Sequence, residues 1–323
     1  MSEAQPTQVH LDPTLTEACV TGSLAAYSDF AKQPFKSPKG FKCVHRFTGW
    51  DDLIDHSGEA ERFGLIFQSS ADPSTYMVAF RGTDSLMDAY EDAWFDTVDF
   101  QPFDAQGFPS GVEVSSGFYS VYTGTGAGVA TPMRTQVFDF LDNARPAPTK
   151  VIVTGHSLGA AIANLFMLDY SVSRPNVHTV SVTLASPRTG KAAFHKAYEQ
   201  TYGLTPRTYR IANFFDWVPT LPPKTILDYR HVGQRFLVAF YLEHGLDTDI
   251  LSRHSLLNYQ TVLTNALAQP NQIWAPHTFR DAVSHWWYPF HTMKSIYPDL
   301  ASDMPEWASL WRELHGAHKP KDC

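Results

Sequence analysis

The chain has 323 residues, of which 43% are hydrophobic, 14% aromatic and 18% charged. That is enough apolar mass for a large core, and the composition excludes global disorder. A formal charge of −8 with no Lys/Arg cluster argues against a general nucleic-acid binder and against attraction to anionic lipid surfaces. In chain order, residues 14–30 place Leu15, Ala18, Cys19, Gly22, Ala25 and Ala26 on one face at helical spacing, which predicts a helix. Short apolar, β-branched runs at 63–68, 75–80, 150–154, 178–185, 207–212 and 232–239 predict buried strands. Asp72-Pro73 between the first two predicts a short turn and an antiparallel hairpin. Helical patterns at 129–144, 157–171 and 189–202 lie between later strands. The alternation predicts an α/β chain whose central, mostly parallel sheet carries helices on both faces. Residues 101–111 and 123–128 read as loops.

From about residue 265 the texture changes, with Trp274, Trp286, Trp287, Trp307 and Trp311 crowding a tail with little strand pattern. Residues 305–315 there predict one further helix. The N-terminal MSEAQPTQVHLDP has neither a basic nor an apolar leader region, and no apolar run approaches a bilayer span. Cys19, Cys43 and Cys323 are odd in number, widely spaced and outside any metal-ligand pattern. Reduced thiols, a cytoplasmic location and no metal are the expectations; export without a cleaved signal stays open.

The segment 150–170, KVIVTGHSLGAAIANLFMLDY, holds Gly155-His156-Ser157-Leu158-Gly159. A G-x-S-x-G pentapeptide alone is weak evidence. Here a β-branched run enters it and an Ala/Leu-rich helix leaves it, which predicts a nucleophile elbow. Such a turn strains the serine backbone and projects its hydroxyl from the sheet edge. Gly155 and Gly159 remove side chains that would collide. The helix N-terminus makes the Leu158 N–H a natural oxyanion donor. His156 is not expected to be the base, because neighbours on this turn point in different directions.

Four segments in order resemble the class 3 lipases, a family of fungal triacylglycerol lipases and feruloyl esterases with the α/β-hydrolase fold. They are VAFRGTDS at 78–85, SSGFYSVY at 115–122, VIVTGHSLGAA at 151–161, and RIANFFDWVPTLPP at 210–223 followed by RHVGQRF and RHSLLNY. The resemblance covers about residues 15–265, leaving 266–323 as a Trp-rich extension expected to pack on a single domain. It implies Ser157 as nucleophile, Asp216 in N-x-x-D-x-V-P as acid and His254 in H-x-x-x-x-Y as base. It also implies Thr83, after Arg81-Gly82, as the side-chain half of the oxyanion hole, with Leu158 as the backbone half. The order Ser, Asp, His suits this fold. Spacing alone leaves His231 and His244 open as bases, and Asp228, Asp247 and Asp249 as acids. One departure stands out: the family usually has a His where this chain has Ser115.

After Thr83, the run DSLMDAYEDAWFD puts Leu86, Met87, Tyr90, Ala93 and Trp94 on one helical face, and Asp88, Glu91 and Asp92 on the other. An amphipathic surface helix packed on the core and a lid both fit that pattern; the resemblance points to a lid. The implied activity is serine ester hydrolysis without a cofactor, acting on acylglycerols. Phospholipase A1, small-ester or feruloyl esterase, acyltransferase and a silent hydrolase scaffold are the alternatives. The expected partner is a lipid or other ester, with no nucleic acid and no transmembrane segment; presentation at a lipid–water interface and oligomeric state are left open.

Overall fold

The computed structural model describes residues 11–50, 60–83, 96–104, 106–126, 128–213, 216–242, 253–268 and 290–293. The first elements are α1 (Pro13–Phe30), β1 (Phe41–Trp50), β2 (Ala60–Ser69), β3 (Thr75–Phe80), β4 (Thr97–Asp99), β5 (Glu113–Ser115), α2 (Ser116–Thr123) and α3 (Met133–Asn143). They are followed by β6 (Lys150–His156), α4 (Leu158–Ser173), β7 (His178–Leu184), β8 (Gly190–Lys191), α5 (Ala192–Lys196) and β9 (Thr208–Asn213). The last are α6 (Lys224–Leu227), β10 (Tyr229–Arg230), β11 (Gln234–Leu242), α7 (Leu256–Ala268) and β12 (Phe290–Met293).

The main sheet has the order β1-β2-β3-β6-β7-β9-β11-β12, and a small second sheet has the order β10-β8-β5-β4. Strands β3, β6, β7, β9 and β11 run parallel, while β1, β2 and β12 pair antiparallel at the two sides. A parallel sheet is buried on both faces, so its strands read as continuous apolar runs. Strand β3 (TYMVAF) is buried at every position. Its alternate residues feed two cores. Tyr76, Val78 and Phe80 join Val151 and Val153 under α2, α3 and α4. Met77 and Ala79 join Ile152, Val182 and Ile211 under α1 and α7.

Local chemistry explains the element ends. Asp12 caps α1, accepting from Thr14 N–H at 2.8 Å and Leu15 N–H at 3.1 Å, with Pro13 in the first turn. Asp72 makes the β2–β3 turn by accepting from Ser74 N–H at 3.1 Å, Ser74 Oγ at 2.7 Å and Thr75 Oγ1 at 2.6 Å. The antiparallel hairpin expected there is present. Strand β1 was not anticipated. It is an edge strand with mixed polarity, and two register shifts against β2 break its alternation. Gln136 of α3 covers its edge, bonding both the N–H and the carbonyl of Thr48 at 3.1 and 3.0 Å. The helix expected over 129–144 starts later, at Met133, because Pro132 precedes it. The pattern at 189–202 forms α5 and then widens into a π-turn at Ala197–Thr201. The 305–315 helix lies outside the described residues. No helix among the described residues is long and apolar enough to cross a membrane.

Asp169 is the unexpected polar group in this core. It sits on α4, fully buried, and accepts from Phe103 N–H at 2.6 Å, Tyr122 Oη at 2.9 Å and Ser173 Oγ at 3.3 Å. Arg134 of α3 lies 3.8 Å away. Burial outweighs these partners and pushes its carboxyl up from 3.8 to about 6. The folded chain therefore holds this proton more tightly than the unfolded chain. Asp169 favours folding most below pH 4, and that contribution is lost as pH rises through about 6, an effect of about 3 kcal/mol. Asp169→Asn does not titrate. The stability of the wild type relative to Asp169→Asn should fall between pH 4 and 6.5 in denaturant titrations; a pH-independent difference would show a carboxylate ionised throughout.

Candidate active site

The site begins where β6 ends. Ser157 has φ 59° and ψ −125°, a left-handed backbone that L-residues avoid, between β6 and α4. Its N–H donates to Leu184 O at 3.1 Å, locking the turn onto β7. A Cβ on Gly155 would fall on the carbonyl of Gly159, and a Cβ on Gly159 on the carbonyl of Arg81. The expected reason for both glycines is therefore found: two backbones pass too close for any side chain. As the first residue of α4, Leu158 has an N–H with no partner inside the helix.

Strand β3 pairs with β6 so that Phe80 lies opposite Gly155, which brings Arg81-Gly82-Thr83 beside the elbow. A Cβ on Gly82 would stand 3.1 Å from Ser157 Cβ and 2.7 Å from His156 O. Arg81 fixes this segment from below. Its buried guanidinium lies over the rings of Phe30 at 3.9 Å and Phe63 at 4.3 Å and is paired with Glu61. It donates to the carbonyls of Arg62 at 3.0 Å and Gly82 at 2.8 Å. Thr83 is buried at the same edge.

The third part comes from β9 and the segment before α7. Asp216 Oδ2 accepts from His254 Nδ1 at 2.8 Å and from Tyr259 Oη at 3.0 Å, and Oδ1 accepts from Val218 N–H at 3.0 Å. With Nδ1 carrying the proton, Nε2 of neutral His254 is left as an acceptor. Among the described residues that Nε2 and Ser157 Oγ, both buried, have no hydrogen-bond partner, each other included. Asn213 holds the arrangement together: its N–H donates to Tyr259 Oη at 2.6 Å and its Nδ2 to Arg253 O at 2.9 Å. Neither Asn213 nor Tyr259 was singled out from the sequence, though they are the first residue of N-x-x-D-x-V-P and the last of H-x-x-x-x-Y.

The described rivals are engaged in other contacts. His156 has both ring nitrogens engaged, with Tyr27 Oη at 2.9 Å and His254 O at 2.8 Å. Burial first, and repulsion from the protonated form of His254 second, hold its pKa well below the usual histidine range. His231 donates from Nε2 to Pro219 O at 2.8 Å, and burial with Arg210 and Arg188 nearby also holds it neutral. Asp228 is an exposed left-handed cap of α6, paired with Arg230. Ser115, the departure from the family pattern, is buried and caps α2 by accepting from Phe118 N–H at 3.4 Å. Leu86, Met87, Tyr90 and Trp94, with His244, Asp247 and Asp249, lie outside the described residues. Among the described residues no group of three His, Cys, Asp or Glu could hold a metal ion.

With this geometry in view, comparison with known proteins finds that residues 77–226 match the model of Lipase (class 3). Over that stretch, a little under half of the chain, it is similar to the class 3 lipase family. A secreted mono- and diacylglycerol lipase of Malassezia globosa is 32% identical over 162 residues, 48% of this chain and 49% of that protein. A phospholipase A1 of Oryza sativa subsp. japonica is 31% identical over 174 residues, 49% of this chain and 41% of that protein. The chain thus spans about half the length of the relatives it matches in sequence. Among solved structures, the lipase of Rhizopus microsporus var. chinensis superposes with a TM-score of 0.53 at 26% identity, covering 71% of this chain and 76% of that one. A lipase of Yarrowia lipolytica gives 0.56 at 19% identity, covering 71% and 80%. The fold of this chain is that of the α/β-hydrolases.

Tyr259→Phe removes a hydroxyl that serves Asp216 and Asn213 at once. A buried carboxylate and a buried N–H lose a partner, which typically costs about 1–3 kcal/mol. Chemical denaturation should show that loss; an unchanged midpoint would mean that another donor and acceptor take its place.

Proposed function

We propose that this chain is a serine carboxylic ester hydrolase acting on acylglycerols through Ser157, His254 and Asp216. The observation that carries the reading is the 2.8 Å His254–Asp216 pair, with an unpartnered Nε2, in a fold whose elbow presents an unpartnered Ser157 hydroxyl. His254 Nε2 takes the Ser157 proton as Oγ attacks the ester carbonyl carbon. Asp216 orients the imidazole and stabilises its charged form. The oxyanion is held by the Leu158 N–H and by Thr83, each donor of this kind lowering the barrier by about 3–4 kcal/mol. His254 then returns its proton to the departing alcohol, leaving an acyl-Ser157 ester. Water, deprotonated by the same imidazole, attacks that ester and releases the carboxylic acid.

Acylglycerols come first because the Malassezia relative is named for mono- and diacylglycerols. A phospholipase A1 reading is the second, favoured by the rice relative at similar identity. The buried Ser157 side chain adds a constraint: an ester reaches it only after a rearrangement. In the amphipathic 84–96 stretch the sequence offers a lid for that step, and opening at a lipid surface would expose its apolar face.

Hydrolysis of p-nitrophenyl esters from butyrate to palmitate should be lost by at least about 10³-fold in Ser157→Ala. Equal turnover in that variant would sink the assignment. Comparing diacylglycerol with phosphatidylcholine emulsions then separates the two substrate readings, and a rate that jumps once an emulsion forms is the expected sign of interfacial opening.

A further inference from the structure

The acyl-transfer steps make no use of α1, yet α1 reaches the elbow. Tyr27, near its C-terminal end, places Oη 2.9 Å from His156 Nδ1. His156 Nε2 in turn lies 2.8 Å from the main-chain oxygen of His254. A carbonyl only accepts, so Nε2 carries the His156 proton. Nδ1 is then an acceptor and the Tyr27 hydroxyl donates to it. Burial opposes a second proton on His156, so this tautomer persists. Tyr27 also bounds the oxyanion segment, since a Cβ on Gly82 would fall on its hydroxyl. One hydroxyl from α1 therefore touches the segment after β3 and the end of β6, and acts through His156 on the segment that carries His254.

We propose that Tyr27 and His156 are positioning residues for His254, an inference that rests on the hydrolase reading above. Asp216 and Tyr259 hold the imidazole from its Nδ1 side. Tyr27 and His156 hold the main chain of the same residue. His254 is thus held both at its ring and at its backbone. The rings of His156 and His254 are 4.5 Å apart at 42°, so a charge on His156 would oppose the imidazolium that forms on His254. Keeping His156 neutral is part of the same role. Small displacements of a reacting group cost much more in rate than in stability, so the effect belongs on kcat.

Tyr27→Phe keeps the ring and deletes only the hydroxyl. Labelling of Ser157 by a fluorophosphonate probe and hydrolysis of p-nitrophenyl butyrate should both slow by about tenfold, the worth of one such hydrogen bond. KM should stay within about twofold and the thermal midpoint within a few degrees. Nitrogen NMR of 15N-histidine protein should show wild-type His156 protonated at Nε2 and not titrating between pH 5 and 8, with its Nδ1 signal displaced in Tyr27→Phe. Wild-type labelling and kcat in the variant, or a rise in KM alone, would overturn the positioning role. So would a His156 that titrates in that range, a result readable on the wild type even if the variant fails to fold. A wild type that neither labels nor turns over would overturn the hydrolase reading, and the positioning role with it. A wild type that labels beside an unaffected variant would overturn the positioning role alone.

Discussion

A strand that must become a helix within one residue governs this structure. At Ser157 the chain leaves β6 with φ 59° and enters α4 at once. That geometry leaves no room for side chains at Gly155 or Gly159, whose Cβ positions fall on neighbouring backbone. It also draws Gly82 against Ser157 Cβ. Strain of this kind persists only where the surroundings over-determine it. Here the surroundings are the Ser157 N–H bond to Leu184, the helix α4 buried from Leu158 to Tyr170, and the parallel pairing of β6 with β3 and β7.

The polar groups under the elbow are arranged around the same turn. Arg81 is buried between two aromatic rings and holds the carbonyl of Gly82, so a charged side chain stiffens a segment that must stay glycine-thin. Asn213 does comparable work for β9, joining the Tyr259 hydroxyl and the carbonyl before His254. Asp216 accepts three hydrogen bonds from groups spread over residues 218 to 259. Buried polar groups cost free energy unless paired, so networks of this kind admit few alternative arrangements. The two apolar cores on either side of the sheet supply the driving force, and the polar layer selects one geometry at the sheet edge.

Much of this was legible in the residues. The parallel strands read as apolar runs because they are buried on both faces, and the elbow read as glycine-bounded because backbone must pass backbone. Strand β1 was not legible, since its edge position and irregular register leave no clean alternation. Asp169 was hidden as well. It lies in an apolar helix and its partners come from residues 103, 122 and 173.

The sequence by itself determined the α/β alternation, the turn at Ser157 and the list of candidate side chains. Those depend on local properties: periodicity, β-branching and the space a glycine leaves. It did not choose between His231 and His254, or show that His156 bonds the main chain of His254. Those outcomes depend on where residues 27, 156, 216 and 254 come to rest. Only the parallel order of β6, β7 and β9, with α1 and α7 packed on one face, sets those distances. Hydrogen bonding acts over about 3 Å, whereas these residues are separated by tens of positions in the chain.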